Sequence, residues 1–180
     1  MTYSAHYQKQ LLKLHETKQS FGTKSGYKGV DEWIEKYQPA SIIDYGCGKG
    51  MLLASLVEKH NLKGIGYDPG VKEFMNLPTE PADVLVSTDV LEHIEPNYIN
   101  EVLAQIDRLY LKSAWLLIDT APAIKVLADG RNAHLILEDH DWWTSKILET
   151  MPNSTIVSNR IKKNKIIMEL VKSGTNTTKP

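Results

Sequence analysis

Apolar positions along this chain repeat with two periods. Between residues 7 and 16 they fall at helical spacing, through Leu11, Leu12 and Leu14. Residues 30–37 carry a second short helical pattern, which Pro39 stops because its ring leaves no N–H to continue a helix. The intervening residues 18–29 are rich in Lys, Ser and Gly and predict a loop. Short apolar and β-branched runs follow, predicting strands at 41–44, 64–67, 83–87 and 115–119, with helices at 51–60 and 97–109. A further helix is expected at 142–150. Near the end, 155–160 and 165–171 are β-branched runs joined by Ile161-Lys162-Lys163-Asn164, a hairpin signal. Strands alternating with helices predict an α/β fold: a mostly parallel sheet with helices on both faces, here ending in an antiparallel hairpin. The polar stretch 173–180 predicts a flexible tail, leaving 1–172 as a single domain.

The junction between the first strand and its helix carries the candidate chemistry. Asp44 closes the strand, and Gly46, Gly48 and Gly50 follow at alternate positions before Met51 opens the helix. A glycine turn at such a junction aims backbone N–H groups and the positive helix end at an anion. Glycine suits it because a Cβ would obstruct a ligand and resist positive φ. Asp68 closes the second strand about 20 residues beyond the glycines, where a carboxylate accepts hydrogen bonds from ribose hydroxyls. Together these features predict a nucleoside cofactor. Taken singly they are weaker: a glycine turn also serves close packing, and Asp68-Pro69-Gly70 is good turn chemistry in its own right. Cys47, the single cysteine, reads as a small residue in a tight turn rather than a nucleophile. It excludes an intramolecular disulfide and suits a reducing, cytoplasmic setting.

A dinucleotide fingerprint G-x-G-x-x-G would need glycine where Met51 stands. The spacing Asp44-x-Gly46-x-Gly48-x-Gly50 instead resembles motif I of the class I S-adenosylmethionine-dependent methyltransferases. Thr88-Asp89-Val90-Leu91-Glu92-His93-Ile94 resembles the turn after the fourth strand in their small-molecule branch. The resemblance covers residues 22–171 in order and architecture, with specific motifs in three short stretches. It implies a Rossmann-like fold, S-adenosyl-L-methionine as cofactor, and a final reversed strand inserted beside its partner. It further implies that Gly46, Cys47, Gly48 and the helix N-terminus hold the methionine end. Asp68 and Pro69 would meet the ribose, and Asp44 would order the turn or reach the cofactor ammonium through water. Phe21 and Gly22 would close over the cofactor, within an N-terminal part (1–38) of helices and covering loop, while Thr88 and Asp89 flank the same site. One departure stands out. Only residues 69–82, with Pro78 and Pro81, precede the strand at 83, so the family's third strand is expected to be reduced or absent. The adenine ring, often held after that strand, then falls to Met75, Asn76, Leu77 or the 87–89 turn.

Because the cofactor's methyl group is already activated on a sulfonium, such an enzyme chiefly aligns an acceptor and excludes water. Ligands of open α/β sheets bind beyond the carboxyl ends of the strands, which brings Thr88, Asp89, Glu92, His93 and Thr120 near the chemistry. His93 is a base by residue type; the competing reading is a histidine bonded to backbone while Leu91 and Ile94 pack the turn. The connection 121–154 is long and predicts a functional lid. In it, Arg131 and Asn132 would bind the acceptor, Trp142 would cover a ring face, and His134 would stand as a second catalytic base. The competing reading of Trp142 is an anchor for its own helix. His134, Glu138, Asp139 and His140 match no metal spacing with a known mechanism, so no metal is expected.

The chain's formal net charge is −1, with no broad basic excess, which disfavours nucleic acid as a partner. Neither an Asn/Asp-Pro-Pro-Tyr/Phe loop nor a Pro-Cys pair for nucleic-acid methylation is present. No run approaches the ~18 apolar residues of a membrane span. The expected function is methyl transfer to a small polar acceptor such as a sugar, sugar nucleotide or other metabolite. The alternative is a non-catalytic module that binds the cofactor and acts through a protein partner.

Overall fold

In strand β1 (Ser41–Tyr45) Ile42 and Ile43 are both fully buried but belong to different layers. The alternation continues in β3 (Ala82–Thr88), where Val84 and Val86 oppose Leu85. It recurs in β4 (Tyr110–Asp119), where Trp115 and Leu117 oppose Ala114, Leu116 and Ile118. One set packs on α2 (Val30–Tyr37) and α3 (Met51–His60) through Trp33, Ile34, Leu52, Leu53 and Leu56. The other packs on α4 (Ile99–Arg108) and α5 (His140–Thr150) through Leu103, Ile106, Trp143 and Ile147. Each fully buried aliphatic side chain stabilises by roughly 1.5–3 kcal/mol. A one-residue register slip would put every one of them on the wrong face. The computed structural model describes residues 2–17 and 22–174.

The strand order is β2-β1-β3-β4-β6-β5, with β2 at Lys63–Tyr67, β5 at Ser154–Lys162 and β6 at Lys165–Lys172. The pairs β1–β2, β1–β3 and β3–β4 are parallel. β6 runs antiparallel between β4 and β5, the reversed terminal strand that the sequence predicts. This reversal brings the start of β6 to the rim where the parallel strands end, with Lys165 directly opposite Asp119.

Two elements depart from expectation. β4 begins at Tyr110 rather than at Trp115; exposed Leu111 and the following lysine interrupt the apolar run that would have revealed it. α4 begins at Ile99 because Pro96 opens a separate 3₁₀ turn, Pro96–Tyr98, before it. Between β2 and β3 there is a single 3₁₀ turn, Lys72–Phe74, and no strand, which leaves β2 at the sheet edge. None of the helices among the described residues is long and apolar enough to cross a membrane.

Helix α1 (Ala5–Thr17) lies across the strand-end rim. Its Tyr7 packs with Leu127 and Ala133 of the long 120–139 connection and donates through its hydroxyl to the His93 carbonyl at 2.6 Å. The N–H and hydroxyl of Ser4 both donate to the Glu95 carboxylate. The N-terminal segment thereby clasps the connection onto the sheet end.

Candidate active site

The strand ends, α1 and the 120–139 connection enclose a cavity of about 560 Å³, within the range of small-molecule sites. Its first wall is the glycine turn. Gly46 and Gly48 have φ of 82° and 54°, which a side chain would resist. A Cβ on Gly46 would lie 2.3 Å from Val90 Cγ2, and one on Gly48 would lie 2.7 Å from Gly22 Cα. The turn also satisfies its own donors. Gly46 and Cys47 N–H both donate to the Tyr67 carbonyl, Gly48 N–H to Asp68 Oδ2 at 2.9 Å, and Lys49 N–H to the Gly22 carbonyl. The glycines therefore shape the wall and hold it against β2 and the 22–29 loop, rather than offering a row of free donors.

What the turn presents to the cavity is charge. Asp44 is 1% exposed, and its Oδ2 has no hydrogen-bond partner among the described residues. Burial, and then the nearby Asp68 charge, pushes its carboxyl up to about 7. Such an orphaned buried acceptor fits a cationic or hydrogen-bonding ligand group, and the cofactor's ammonium is one. Asp68 accepts from Gly48 and Gly70 N–H and has His15 Nε2 at 3.8 Å from Oδ1. A carboxylate has about four lone-pair sites, so capacity remains for ribose hydroxyls. Pro69 and Cys47 also line the cavity; burial raises the Cys47 thiol well above its usual range, which suits a packing role.

The opposite wall is assembled from distant parts of the chain. Asp89, in left-handed conformation at φ 55°, accepts from Lys165 at 2.7 Å and from the Tyr27 hydroxyl at 3.0 Å. Lys165 also pairs with Asp119 at 3.1 Å. Burial works against the Lys165 charge, but Asp89 and Asp119 outweigh it and hold its ammonium above its ordinary pKa.

Beside them His93 and His134 pack edge to face, ring centroids 4.7 Å apart. His93 Nδ1 meets the Ala133 carbonyl at 2.7 Å, and His134 Nδ1 meets the Ala121 carbonyl at 2.5 Å. A carbonyl can only accept, so Nδ1 carries a proton in both rings, and Nε2 is the position left to face a ligand. Burial, and then the neighbouring His134, lowers His93 to about 4. It is a neutral ring across the physiological range. Glu92 beneath them is fully buried and pushed up to about 8 by burial; its Oε1 accepts from Asp119 N–H.

Most of the predicted site residues meet in this cavity. Gly22, Asp44, Gly46, Cys47, Gly48, Asp68, Pro69, Thr88, Asp89, His93 and His134 all line it. Phe21 lies outside the described residues. The structure places three predicted acceptor residues outside the cavity wall. Arg131 is exposed, absent from the cavity wall and paired with Asp129 at 2.7 Å across a tight turn. Asn132 spends both ends of its amide bracing the connection, bonding the Ala123 N–H and carbonyl and the His134 N–H. Trp142 sits half-buried on α5 against Trp143 and the core, the anchor rather than the lid. Of the connection's predicted residues, His134 lines the cavity and Arg131 does not.

The sequence reading missed Tyr7, His15, Tyr27 and Lys165, all of which line the cavity. Lys165 had a usable signal. A reversed final strand must start where its parallel neighbour ends, so its first residue belongs at the site. Met75, Asn76 and Leu77, candidates for the adenine, do not line the cavity, whereas Thr88 and Asp89 of the 87–89 turn do.

A family model described as a methyltransferase domain matches residues 11–153. A search of curated proteins by sequence returned no match. Among solved structures, the chain is similar to a Burkholderia thailandensis 1,6-didemethyltoxoflavin N1-methyltransferase, solved with 1,6-didemethyltoxoflavin and S-adenosylhomocysteine bound. That likeness has a TM-score of 0.67 at 15% identity and covers 94% of this chain and 88% of the other. An O-methyltransferase family protein from the same organism gives a TM-score of 0.60 at 16% identity over 93% of this chain, which spans only 58% of that protein. Magnesium protoporphyrin IX methyltransferase of Synechocystis PCC 6803 gives 0.56 at 15% identity, with 80% of each chain covered. At these identities the structures establish the fold.

Proposed function

The chain belongs to the methyltransferase-domain family as an S-adenosylmethionine-dependent enzyme, and from that premise we propose that it methylates a small polar metabolite held against His93 and His134. The observation that carries this reading is the single cavity running from Asp44 and Asp68 to the two histidines. It has one acidic, glycine-shaped end suited to a nucleoside and one mixed polar and aromatic end suited to an acceptor. Asp68 accepts from the ribose, Asp44 meets the ammonium, and the 87–89 turn flanks the cofactor where the two ends of the cavity meet. The cofactor, when bound, supplies a methyl group activated on a sulfonium.

The chain's own residues then position the acceptor. Nε2 of His93 and His134 point lone pairs that accept a hydrogen bond from an acceptor hydroxyl or amine, orienting its nucleophilic atom along the sulfur–methyl axis. Tyr3, Tyr7 and Tyr27 provide apolar faces with polar tips, and Lys165 places a cation at the same end. A sugar, sugar nucleotide or similar ring-bearing metabolite fits this wall. Two neighbours, a 1,6-didemethyltoxoflavin N1-methyltransferase and a magnesium protoporphyrin IX methyltransferase, support a small-molecule rather than a macromolecular acceptor. A cytoplasmic setting belongs to the same reading, because a chain with a single cysteine suits a reducing compartment.

Calorimetry with S-adenosylmethionine, followed by a metabolite screen for S-adenosylhomocysteine release, tests the proposal. Binding with acceptor-dependent release is the expected result. Absence of binding would remove it, and binding with no release across sugars, nucleotide sugars and aromatic metabolites would reassign the chain to a non-catalytic cofactor-binding module. Replacing His134 by Ala should lower turnover by about a hundredfold or more while cofactor affinity stays within about twofold.

A further inference from the structure

Glu92, His93 and His134 have a feature that acceptor hydrogen bonding alone does not explain. Among the described residues they are the group of three whose ligand atoms, a carboxylate oxygen and one ring nitrogen from each histidine, lie within 4.8 Å of one another. Glu92 is fully buried, yet its Oε2 has no hydrogen-bond partner among the described residues, while Oε1 is fixed by the Asp119 N–H at 2.9 Å. A buried carboxylate oxygen left bare in a residue clustered with two imidazoles is costly unless a ligand satisfies it.

We infer that Glu92, His93 and His134 bind a divalent transition-metal ion at the acceptor end of the cavity. Four observations support this. The donor set, two imidazoles and one carboxylate, is the kind that holds Zn²⁺, Co²⁺ or Fe²⁺ and leaves positions open. Both histidines donate Nδ1–H to backbone carbonyls, the outer-sphere bond that fixes a metal-ligating imidazole with Nε2 toward the ion. Glu92 is held in the same manner through Oε1, which leaves Oε2 to coordinate. Metal–ligand bonds of ~2.0–2.2 Å set ligand atoms roughly 3–4 Å apart, so shifts of about an ångström complete the site. The sequence-level set His134, Glu138, Asp139 and His140 is not assembled; instead His140 bonds Asp141 on α5.

The chemical use of this ion rests on the methyl-transfer reading, whereas its binding does not. An acceptor hydroxyl taking an open position would lose its proton to water with the ion neutralising the resulting oxyanion. Its oxygen then forms the new bond to the methyl carbon as the carbon–sulfur bond breaks, the electron pair remaining on sulfur to give the neutral thioether. No electron is gained or lost by the metal. With the ion bound, the histidine Nε2 atoms act on the acceptor through it, in place of the direct hydrogen bonds open to the metal-free protein.

The test is Co²⁺ titration of chelator-treated full-length protein, followed by visible absorption, with Zn²⁺ competition and S-adenosylmethionine calorimetry on the same samples. One Co²⁺ per chain with ligand-field bands, displaced by Zn²⁺, is expected. Glu92→Gln and His134→Asn should each weaken Co²⁺ by at least about a hundredfold, the upper loss for even an outer-sphere partner, and leave cofactor affinity within about twofold. His134 is only half-buried, so its variant keeps the test sound should Glu92→Gln fail to fold. A cofactor-binding protein that takes up no Co²⁺ or Zn²⁺ would overturn the site and spare the methyltransferase reading. Variants that keep full Co²⁺ stoichiometry would also overturn it. Metal uptake without cofactor binding would uphold the site and sink that reading.

Discussion

At the β1–β2 end of the cavity the decisive polar contact, Gly48 N–H to Asp68, joins residues 20 apart in sequence. At the β3–β4 end the corresponding contact, Lys165 to Asp89, joins residues 76 apart. The first end is made from backbone geometry at the close of successive strands, so few substitutions are tolerated and each residue type is dictated by its neighbours. The second is made from side chains delivered by a helix, a loop, a long connection and a reversed strand, and its residue types follow from that topology. Under the proposed assignment, cofactor recognition is local and rigid, while acceptor recognition depends on how far-separated segments dock.

The largest effect should come from breaking the local end. Gly46→Ala places a methyl group against Val90 at a φ of 82°. Backbone strain of ~1–3 kcal/mol and overpacking of ~1–3 kcal/mol together predict a loss near 3 kcal/mol, read by urea denaturation. Adding Val90→Ala should recover the packing part only. Full recovery, or no loss from Gly46→Ala, would show that the turn is looser than its contacts indicate.

Asp68→Ala should weaken S-adenosylmethionine by about tenfold to a hundredfold, the loss of charge-assisted hydrogen bonds worth ~1.5–3 kcal/mol. Asp68→Asn should fall between, because one acceptor oxygen survives to hold either Gly48 or Gly70. Unchanged affinity in a folded variant would displace the ribose from this residue.

A smaller and graded effect concerns pH. Asp44 is raised to about 7 by burial and then by Asp68, so the fold favours its protonated form. Its contribution to stability is fully present below the ordinary carboxyl value of ~4 and is lost as pH rises to about 7. An incoming ammonium reverses this preference by stabilising the ionised form. Cofactor affinity should accordingly rise by up to about tenfold per pH unit as pH approaches 7, then level off. Calorimetry in buffers of different ionisation enthalpy would detect the released proton, and Asp44→Asn should abolish both the slope and the release.

The smallest effect is expected at Arg131. Its guanidinium is exposed and already paired with Asp129, away from the cavity wall. Arg131→Ala should leave the acceptor's Michaelis constant and the melting temperature unchanged within error. A clear rise in that constant would return the arginine to the acceptor site.

This contrast also explains what could be read from the sequence. α2 and α3 fall at their predicted bounds because amphipathic spacing and the following breakers, Pro39 and Asn61, mark them locally. The missing strand was legible because Pro78 and Pro81 left no room for it. Asp44, the glycines and Asp68 were legible for the same local reason. At the acceptor end, residue type alone suggested Arg131 and Trp142, and both turned out to serve the scaffold. His93 and His134 were individually visible, but their meeting depends on the carbonyls of Ala133 and Ala121, which no side-chain pattern records. Lys165 was missed because its signal, a place at the start of the reversed strand beside β4, depends on strand order and not on residue type.

The insertion of β6 between β4 and β5 orders events in time. During synthesis, the residues of the glycine turn and Asp68 emerge well before Lys165, and their mutual contacts close only a short loop. Asp89 and Asp119 emerge early too, but their cation comes from a strand that needs both flanking strands in place. Pairings of such long sequence separation form late. The β3–β4 end of the cavity is therefore complete only once β6 has entered the sheet, whereas the glycine turn and Asp68 need only β1 and β2.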